Sequence, residues 1–549
     1  MVRLRGLLLI AILAILTALP AAASAHAVLI STSPSIGEIV DGAPTAVTLT
    51  FNEDINAVGA QVQVIGSDGK RYDAGRPTVT GRVISEALAG GLPEGTSTVV
   101  WSIISGDGHR VSSAFLFSVG RESSGTATAD SAVATASLAR PRGAETAMAA
   151  SRALRFAGII LLLGLLGVVA LVWDPTMRRG RREDPATAAA AERVFRPIAV
   201  LLARLTPPAL AVIAAVGLPL EAWADDISLR GVLDLRQGQV ALAQVVLALI
   251  AWPLLVRAVR AGTAGRSIAA GVPLVLLALT PGLAGHASAQ DTAWLSIGID
   301  WVHVLAAGAW GGGLIVLAAT APAIVRATTA EARGPLLRGV VRRFTRIALI
   351  ALAALVATGV VAALILTGSI TELWQSSWGR ILIAKVVVVI AAVATAGVVR
   401  RAAGSFARAV QIEALLIVVA IALTGTLTGL APQAPASATT AIAASFHLEQ
   451  KVDAREAQID IAPTTAGRTS EVHVIITNGV GQPALDVKDA SVVLTQGQTT
   501  KLPVELTSVG TAHWTGTIVI PTAGRWNVIV RLRIGEFREE VLTGTLTAS

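Results

Sequence analysis

The stretch Ala153–Arg182, ALRFAGIILLLGLLGVVALVWDPTMRRGRR, decides the fold. Residues 153–173 form an apolar run that, as a helix rising ~1.5 Å per residue, crosses the roughly 30 Å hydrocarbon core of a bilayer. Arg178, Arg179, Arg181 and Arg182 follow it directly. Seven more apolar runs lie near 198–222, 238–257, 267–285, 295–320, 346–368, 380–400 and 407–431. Their connections alternate in charge. Arg257, Arg260 and Arg266 follow the third run; Arg326, Arg333, Arg338, Arg342 and Arg343 follow the fifth; Arg400, Arg401 and Arg408 lie between the last two. The remaining loops carry almost no lysine or arginine. Basic loops stay in the cytoplasm, so the pattern predicts an eight-helix transmembrane bundle over 151–432 with both chain ends outside. Trp223, Trp294, Trp374 and Trp378 fall at the outer ends, where interfacial anchors are expected.

Composition agrees. Of 549 residues, 53% are hydrophobic and only 15% charged, too apolar for a soluble multidomain chain. The 44 Lys and Arg against 36 Asp and Glu leave a net charge of +8, but the arginines sit beside apolar spans, which argues against nucleic acid as the partner. The lipid bilayer is the partner they predict. There is no cysteine, and the methionines are Met1, Met148 and Met177. Thiolate metal sites are excluded, and soft ligands for Cu(I) are almost lacking. No GxxxxGK[ST] motif occurs, so direct ATP-driven pumping is not expected.

Residues 1–25 read as a secretory signal: Arg3 and Arg5, an apolar core Leu7–Leu19, then Ala23-Ser24-Ala25. Cleavage there makes His26 the first mature residue, with its free amine and imidazole able to chelate one ion. Residues 26–120 alternate apolar and polar side chains between turn signals, as in Ala46-Val47-Thr48-Leu49-Thr50-Phe51, and predict a β-sandwich or barrel. Residues 121–150, rich in Ser, Thr, Ala and Gly, read as a linker. Residues 445–549 repeat the strand pattern.

Two places carry chemistry. In Asp107-Gly108-His109, positions i and i+2 of an extended segment face the same side, so both side chains can aim at one ion. With His26 they supply an amine, two imidazoles and a carboxylate, a set suited to tetragonal Cu(II). In the membrane, His286 ends the fourth span, and Asp300 and His303 share a face of the fifth, with His303 ~12 Å below the outer end. Ionisable residues at that depth usually mark a pathway or a paired site. Trp310-Gly311-Gly312-Gly313 reads as close helix packing. Lys385 and Glu413 read as structural, and His447, His473 and His513 share no spacing that links them.

The mature start His26-Ala27-Val28-Leu29, Ser33-Pro34, Leu49-Thr50-Phe51-Asn52-Glu53, and Trp101 through Asp107-Gly108-His109 to Phe115-Leu116-Phe117-Ser118-Val119 resemble the CopC copper-resistance family. That resemblance implies a cupredoxin-like β-sandwich with His26, Asp107 and His109 as Cu(II) ligands and Glu53 as an acidic neighbour of the site. The family's methionine-rich Cu(I) loop has no counterpart here. His286, His303 with Trp310-Gly311-Gly312, Arg343-Phe344, Gly379-Arg380 with Lys385, and Glu413 resemble the CopD family. The fused order resembles YcnJ-type copper import proteins. Gly481-Gln482-Pro483 and Ala523-Gly524-Arg525-Trp526 make the tail similar to YtkA-like domains, implying a C-terminal β-sandwich.

Together these features predict a non-enzymatic, multi-pass cell-membrane protein with both soluble domains on the extracytoplasmic side. It would capture copper, as Cu(II), and import it or pass it on. One rival is an extracytoplasmic chaperone or sequestration protein whose helices anchor it and dock a cuproenzyme or copper donor. Another is a copper-brace oxidative enzyme, against which Asp107 argues by filling a coordination position that oxygen would need.

Overall fold

The computed structural model describes residues 27–548 apart from 28, 52, 106–107, 109, 122–139, 142, 286–292, 368–371, 400–405, 431–445, 454, 463, 465, 468, 479–483, 485, 497–499, 511 and 536–537. The expected signal segment, 1–25, lies outside the described residues.

The N-terminal unit has eight strands: β1 (Leu29–Ser33), β2 (Ile39–Val40), β3 (Ala46–Phe51), β4 (Gln61–Ile65), β5 (Thr78–Thr80), β6 (Val83–Ala87), β7 (Gly95–Ile104) and β8 (Arg110–Val119). They form two four-stranded sheets, β1-β3-β6-β5 and β2-β8-β7-β4, packed as a sandwich. The alternation in β3 sets this up: Val47, Leu49 and Phe51 are buried, while Ala46, Thr48 and Thr50 are half-buried. A two-residue side-chain period on a pleated strand leaves no other arrangement. Phe51 and Trp101, from opposite sheets, meet edge to face with ring centroids 5.2 Å apart.

Among the described residues, eight helices are long and apolar enough to cross a membrane. They are α1 (Ala144–Glu183), α2 (Pro185–Ala224), α3 (Arg236–Ala261), α4 (Ala264–Ala284), α5 (Ala293–Ala327), α6 (Ala330–Thr367), α7 (Ser377–Val399) and α8 (Phe406–Leu427). Helix α1 starts inside the stretch read as a linker, because Ala144-Glu145-Thr146-Ala147-Met148-Ala149-Ala150 is dominated by strong helix formers. Small residues let α1 and α5 touch: a Cβ added at Gly164 or Gly312 would run into the backbone of the other helix. Both helices contain a π-helical segment near this contact, Val168–Trp173 and Gly308–Gly312. Helix α8 ends beside the start of α1, where Arg152 Nε donates to the Gly425 carbonyl at 3.1 Å, so the bundle begins and ends at one face. At the opposite face Arg196 bridges Asp174 and Glu192 at 2.7 and 2.6 Å.

The C-terminal unit has β9 (Phe446–Val452), β10 (Arg455–Ala462), β11 (Thr469–Asn478), β12 (Val487–Gln496), β13 (Thr500–Gly510), β14 (His513–Val519), β15 (Gly524–Ile534) and β16 (Arg538–Ala548). They form one antiparallel sheet ordered β16-β15-β12-β13-β14-β11-β10-β9. The sheet curls until β16 meets β9, with Phe446 against Gly544, which nearly closes a barrel. Its two halves face one another around Ile459, Val474, Leu494, Trp526 and Val528.

Candidate metal site and membrane cavity

His26, Asp107 and His109 lie outside the described residues, but their immediate neighbours meet at Ser105. The Ala27 backbone N–H donates to Ser105 Oγ at 3.4 Å, 78 positions away in the sequence. Ser105 Oγ donates in turn to Glu53 Oε1 at 3.0 Å. The Gly108 N–H donates to the Ser105 carbonyl at 2.9 Å. Ala27, the acidic Glu53 and Gly108 are thus gathered at one end of the sandwich. Gly108 has φ +86°, a left-handed conformation that glycine adopts without cost.

That end of the sandwich sits on the helical bundle. Arg110 Nε lies 3.4 Å from Asp225 Oδ1, and an Arg110 terminal nitrogen donates to the Asp225 carbonyl at 2.5 Å. Arg140 Nε donates to the same Asp225 carboxylate at 2.8 Å. The side chains of Arg110 and Asp225 are 7% and 1% exposed, so the clamp is sealed from water. Val58 and Gly59, in the loop between β3 and β4, pack on Ile227 and Gly231 beyond the end of α2. Gly108 faces Gln237 at the start of α3 so closely that a Cβ there would collide with the glutamine side chain.

Beneath Gly108 a cavity of ≈ 280 Å³ runs into the bundle. Arg152 and Arg155 of α1, Glu221 of α2, Gln244 of α3, Asp300 and His303 of α5 and Lys385 of α7 contribute to its wall. Gly285, which precedes the predicted His286, also lines it; His286 itself lies outside the described residues. Met148 brings one thioether to the same lining.

The ring of His303 is fixed by a neighbour on α6. Its Nδ1 is 2.9 Å from Thr358 Oγ1, and that hydroxyl donates its own proton to the Ala354 carbonyl at 2.7 Å. Thr358 is therefore the acceptor and His303 Nδ1 the N–H donor, an assignment that follows from the hydrogen-bond network. The Nε2 lone pair remains for a ligand, the arrangement found at metal-binding histidines. Lys385 lies within electrostatic reach of both Asp300 and His303. It is a member of this group rather than a structural lysine apart from it.

Several cavity residues escape a reading of the sequence. Gln244 Nε2 donates to Thr280 Oγ1 at 2.9 Å, and Arg155 reaches Gln244 Oε1 at 3.5 Å and Glu221 at 3.9 Å. The available signal was the i, i+3 pair Arg152 and Arg155 set into the first apolar run, matched by Glu221 near the outer end of the second. Trp378 is corrected as well. It is buried at 4% exposure and lines the cavity instead of anchoring in the interface, whereas Trp223, Trp294 and Trp374 are exposed as expected. The Gly311–Gly313 run packs against Ile417, Ile160 and Phe344, as small residues at a helix contact do.

A β-sandwich docked through Gly108 and Arg110 over a polar, histidine-bearing cavity among eight apolar helices defines a class: multi-pass membrane proteins that seat a soluble β domain over a cavity in the membrane interior. Residues 29–120 match the CopC domain, and residues 338–427 match copper resistance protein D. The chain thus carries a CopC domain and a copper resistance protein D domain in one polypeptide. It is 24% identical over 397 residues to the copper transport protein CutJ of Bacillus subtilis (strain 168), covering 68% of each chain. It is 34% identical over 98 residues to protein YobA of Escherichia coli (strain K12), covering 17% of this chain and 79% of that one. The crystal structure of CopC from Methylosinus trichosporium OB3b is similar at 24% identity and TM-score 0.17, covering 18% of this chain and 100% of that one.

Proposed function

We propose that the protein captures Cu(II) outside the cell membrane through His26, Asp107 and His109, with Glu53 steadying the site through Ser105. It then releases the ion into the bundle past His286 to Asp300 and His303. The observation that carries this reading is the position of Gly108. The residue between two predicted ligands stands at the lip of the cavity that Asp300 and His303 line. Imidazole and carboxylate suit Cu(II), and the near-absence of sulfur ligands points the same way. Both soluble domains would lie on the extracytoplasmic side, which the basic loops at the opposite face support.

The cavity also gives ground for the second reading. Its wall holds four cationic side chains, Arg140, Arg152, Arg155 and Lys385, against the carboxylates Glu221 and Asp300. This balance resists a bare divalent cation. It favours a protein that keeps copper on the outer side and uses its helices as anchor and docking surface, serving as chaperone or store.

Copper accumulation in cells making the full-length chain or its His303→Ala variant separates the two. Import predicts that the variant falls to the level of cells lacking the protein. Uptake equal to wild type removes the membrane path and leaves the chaperone or storage reading.

A further inference from the structure

The C-terminal sheet brings together two histidines that lie 40 positions apart. His473 Nδ1 on β11 is 3.5 Å from His513 Nε2 on β14, with ring centroids 5.8 Å apart and planes tilted by 35°. The register makes them diagonal neighbours: His473 stands opposite Thr515, and His513 opposite Ile475. His513 opens its strand, just after Ala512, whose carbonyl accepts the Ile476 N–H at 2.9 Å. The β13–β14 pairing shifts register between Ser508 and Gly510, beside His513. Irregularities of this kind re-aim side chains and recur next to functional sites.

The separation of the two nitrogens is informative. It is long for an N–H···N hydrogen bond between neutral rings. It is close to the distance between two nitrogens that share one metal ion: at about 2.0 Å from the metal they lie about 2.8 Å apart at a right angle and about 3.3 Å apart at a tetrahedral one, so a small side-chain movement brings both onto one ion. On the far side of His473, Nε2 is 3.9 Å from Glu471 Oε2. That carboxylate is too far for a hydrogen bond, but its negative charge favours a cation held by His473.

We propose that His473 and His513 form a second copper site, taking Cu(II) through His473 Nδ1 and His513 Nε2 on the C-terminal sheet, separate from the N-terminal site. Among the described residues no group of three metal-ligating side chains forms, so water or a partner's donor completes the coordination. Two imidazoles with open positions bind exchangeably, which suits a station that receives or hands over copper. Imidazole ligation and the Irving–Williams order both favour Cu(II) among first-row divalent ions.

The test is Cu(II) titration of the purified full-length protein in detergent, against a competing chelator and by electron paramagnetic resonance. The His473→Ala/His513→Ala double variant is expected to bind one equivalent fewer than wild type, and Glu471→Gln to bind the same number with reduced affinity. A His473→Gln/His513→Gln variant keeps polar side chains at both positions and guards against misfolding of the alanine variant. It is expected to lose the same equivalent with unchanged thermal unfolding. His109→Ala should remove a different equivalent, so the two sites fail separately. Unchanged stoichiometry and spectrum in both double variants overturns the proposal.

Discussion

Arg110 of the sandwich and Asp225 at the end of α2 form a water-sealed ion pair, 3.4 Å from Nε to Oδ1, that fixes Gly108 over the mouth of the membrane cavity. Asp225 serves two guanidiniums at once, those of Arg110 and Arg140. Removing one partner of a buried pair leaves the others charged and unpaired, at a cost of about 3–5 kcal/mol. Asp225→Ala should therefore release the sandwich from the bundle. Increased protease sensitivity and hydrogen exchange between 52 and 110, with each unit still folded, is the expected readout. Protection identical to wild type would show that Val58, Gly59 and their apolar contacts suffice.

Gly108→Ala tests the same contact from the other side. The added Cβ meets Gln237 and must adopt φ +86°. The left-handed conformation alone costs roughly 1–2 kcal/mol for a residue with a Cβ. The variant should weaken both the capture and the delivery of copper, because Gly108 lies between the proposed ligands Asp107 and His109. Gln237→Ala, which opens space for the methyl group, should restore part of the loss.

The Thr358 hydroxyl is expected to matter through the tautomer of His303. Thr358→Val keeps the shape but removes the acceptor of the Nδ1 proton. Loss of such an outer partner typically weakens metal affinity or activity by about 10–100-fold. Copper uptake should fall in that range for Thr358→Val and stay near wild type for Thr358→Ser. Equal uptake in all three would mean that the ring is held by packing alone.

Capture should depend on the first mature amine. One alanine inserted before His26 in a fragment spanning 26–120 moves the amine away from the imidazole, and Cu(II) affinity measured by competition should collapse. Binding indifferent to the insertion would take the His26 amine out of the ligand set and reopen the assignment of Asp107 and His109.

The sandwich also carries a pH signature unrelated to copper. Glu86 is buried, its Oε1 accepting the Ala74 N–H at 3.1 Å, and burial together with the nearby Asp73 raises its carboxyl above the ordinary value. The folded state then holds a proton that the unfolded chain has released. Stability from this group is complete below the unfolded pKa and is lost as pH rises through the folded one. Glu86→Gln should cancel that loss. The difference in melting temperature between variant and wild type should grow in favour of the variant as pH rises from 4 to 7. A difference independent of pH would mean that Glu86 is ionised in the fold.

Much of this was written in the chain. Apolar runs and alternating arginines fix eight helices, because no other backbone arrangement of such lengths satisfies its hydrogen bonds in hydrocarbon. Period-two alternation fixes the β character of both soluble ends, because strand side chains point alternately to two faces. The Asp300 and His303 pair was legible as an i, i+3 pattern on one helix, whereas the extended backbone expected through Gly108 is a left-handed one (φ +86°).

What the sequence left open involves partners from distant elements. Asp225 has no local mark that sets it apart from Asp226, yet it alone accepts two guanidiniums from 85 and 115 positions away. Thr358 acquires a role only because α6 lies against α5. His473 and His513 share no spacing, and it is the β11–β14 register that brings two of their ring nitrogens within 3.5 Å. Local pattern determines the elements, since burial and hydrogen bonding act residue by residue along the chain. Which elements meet depends on how those faces pack, and so the shared sites were decided only by the tertiary structure.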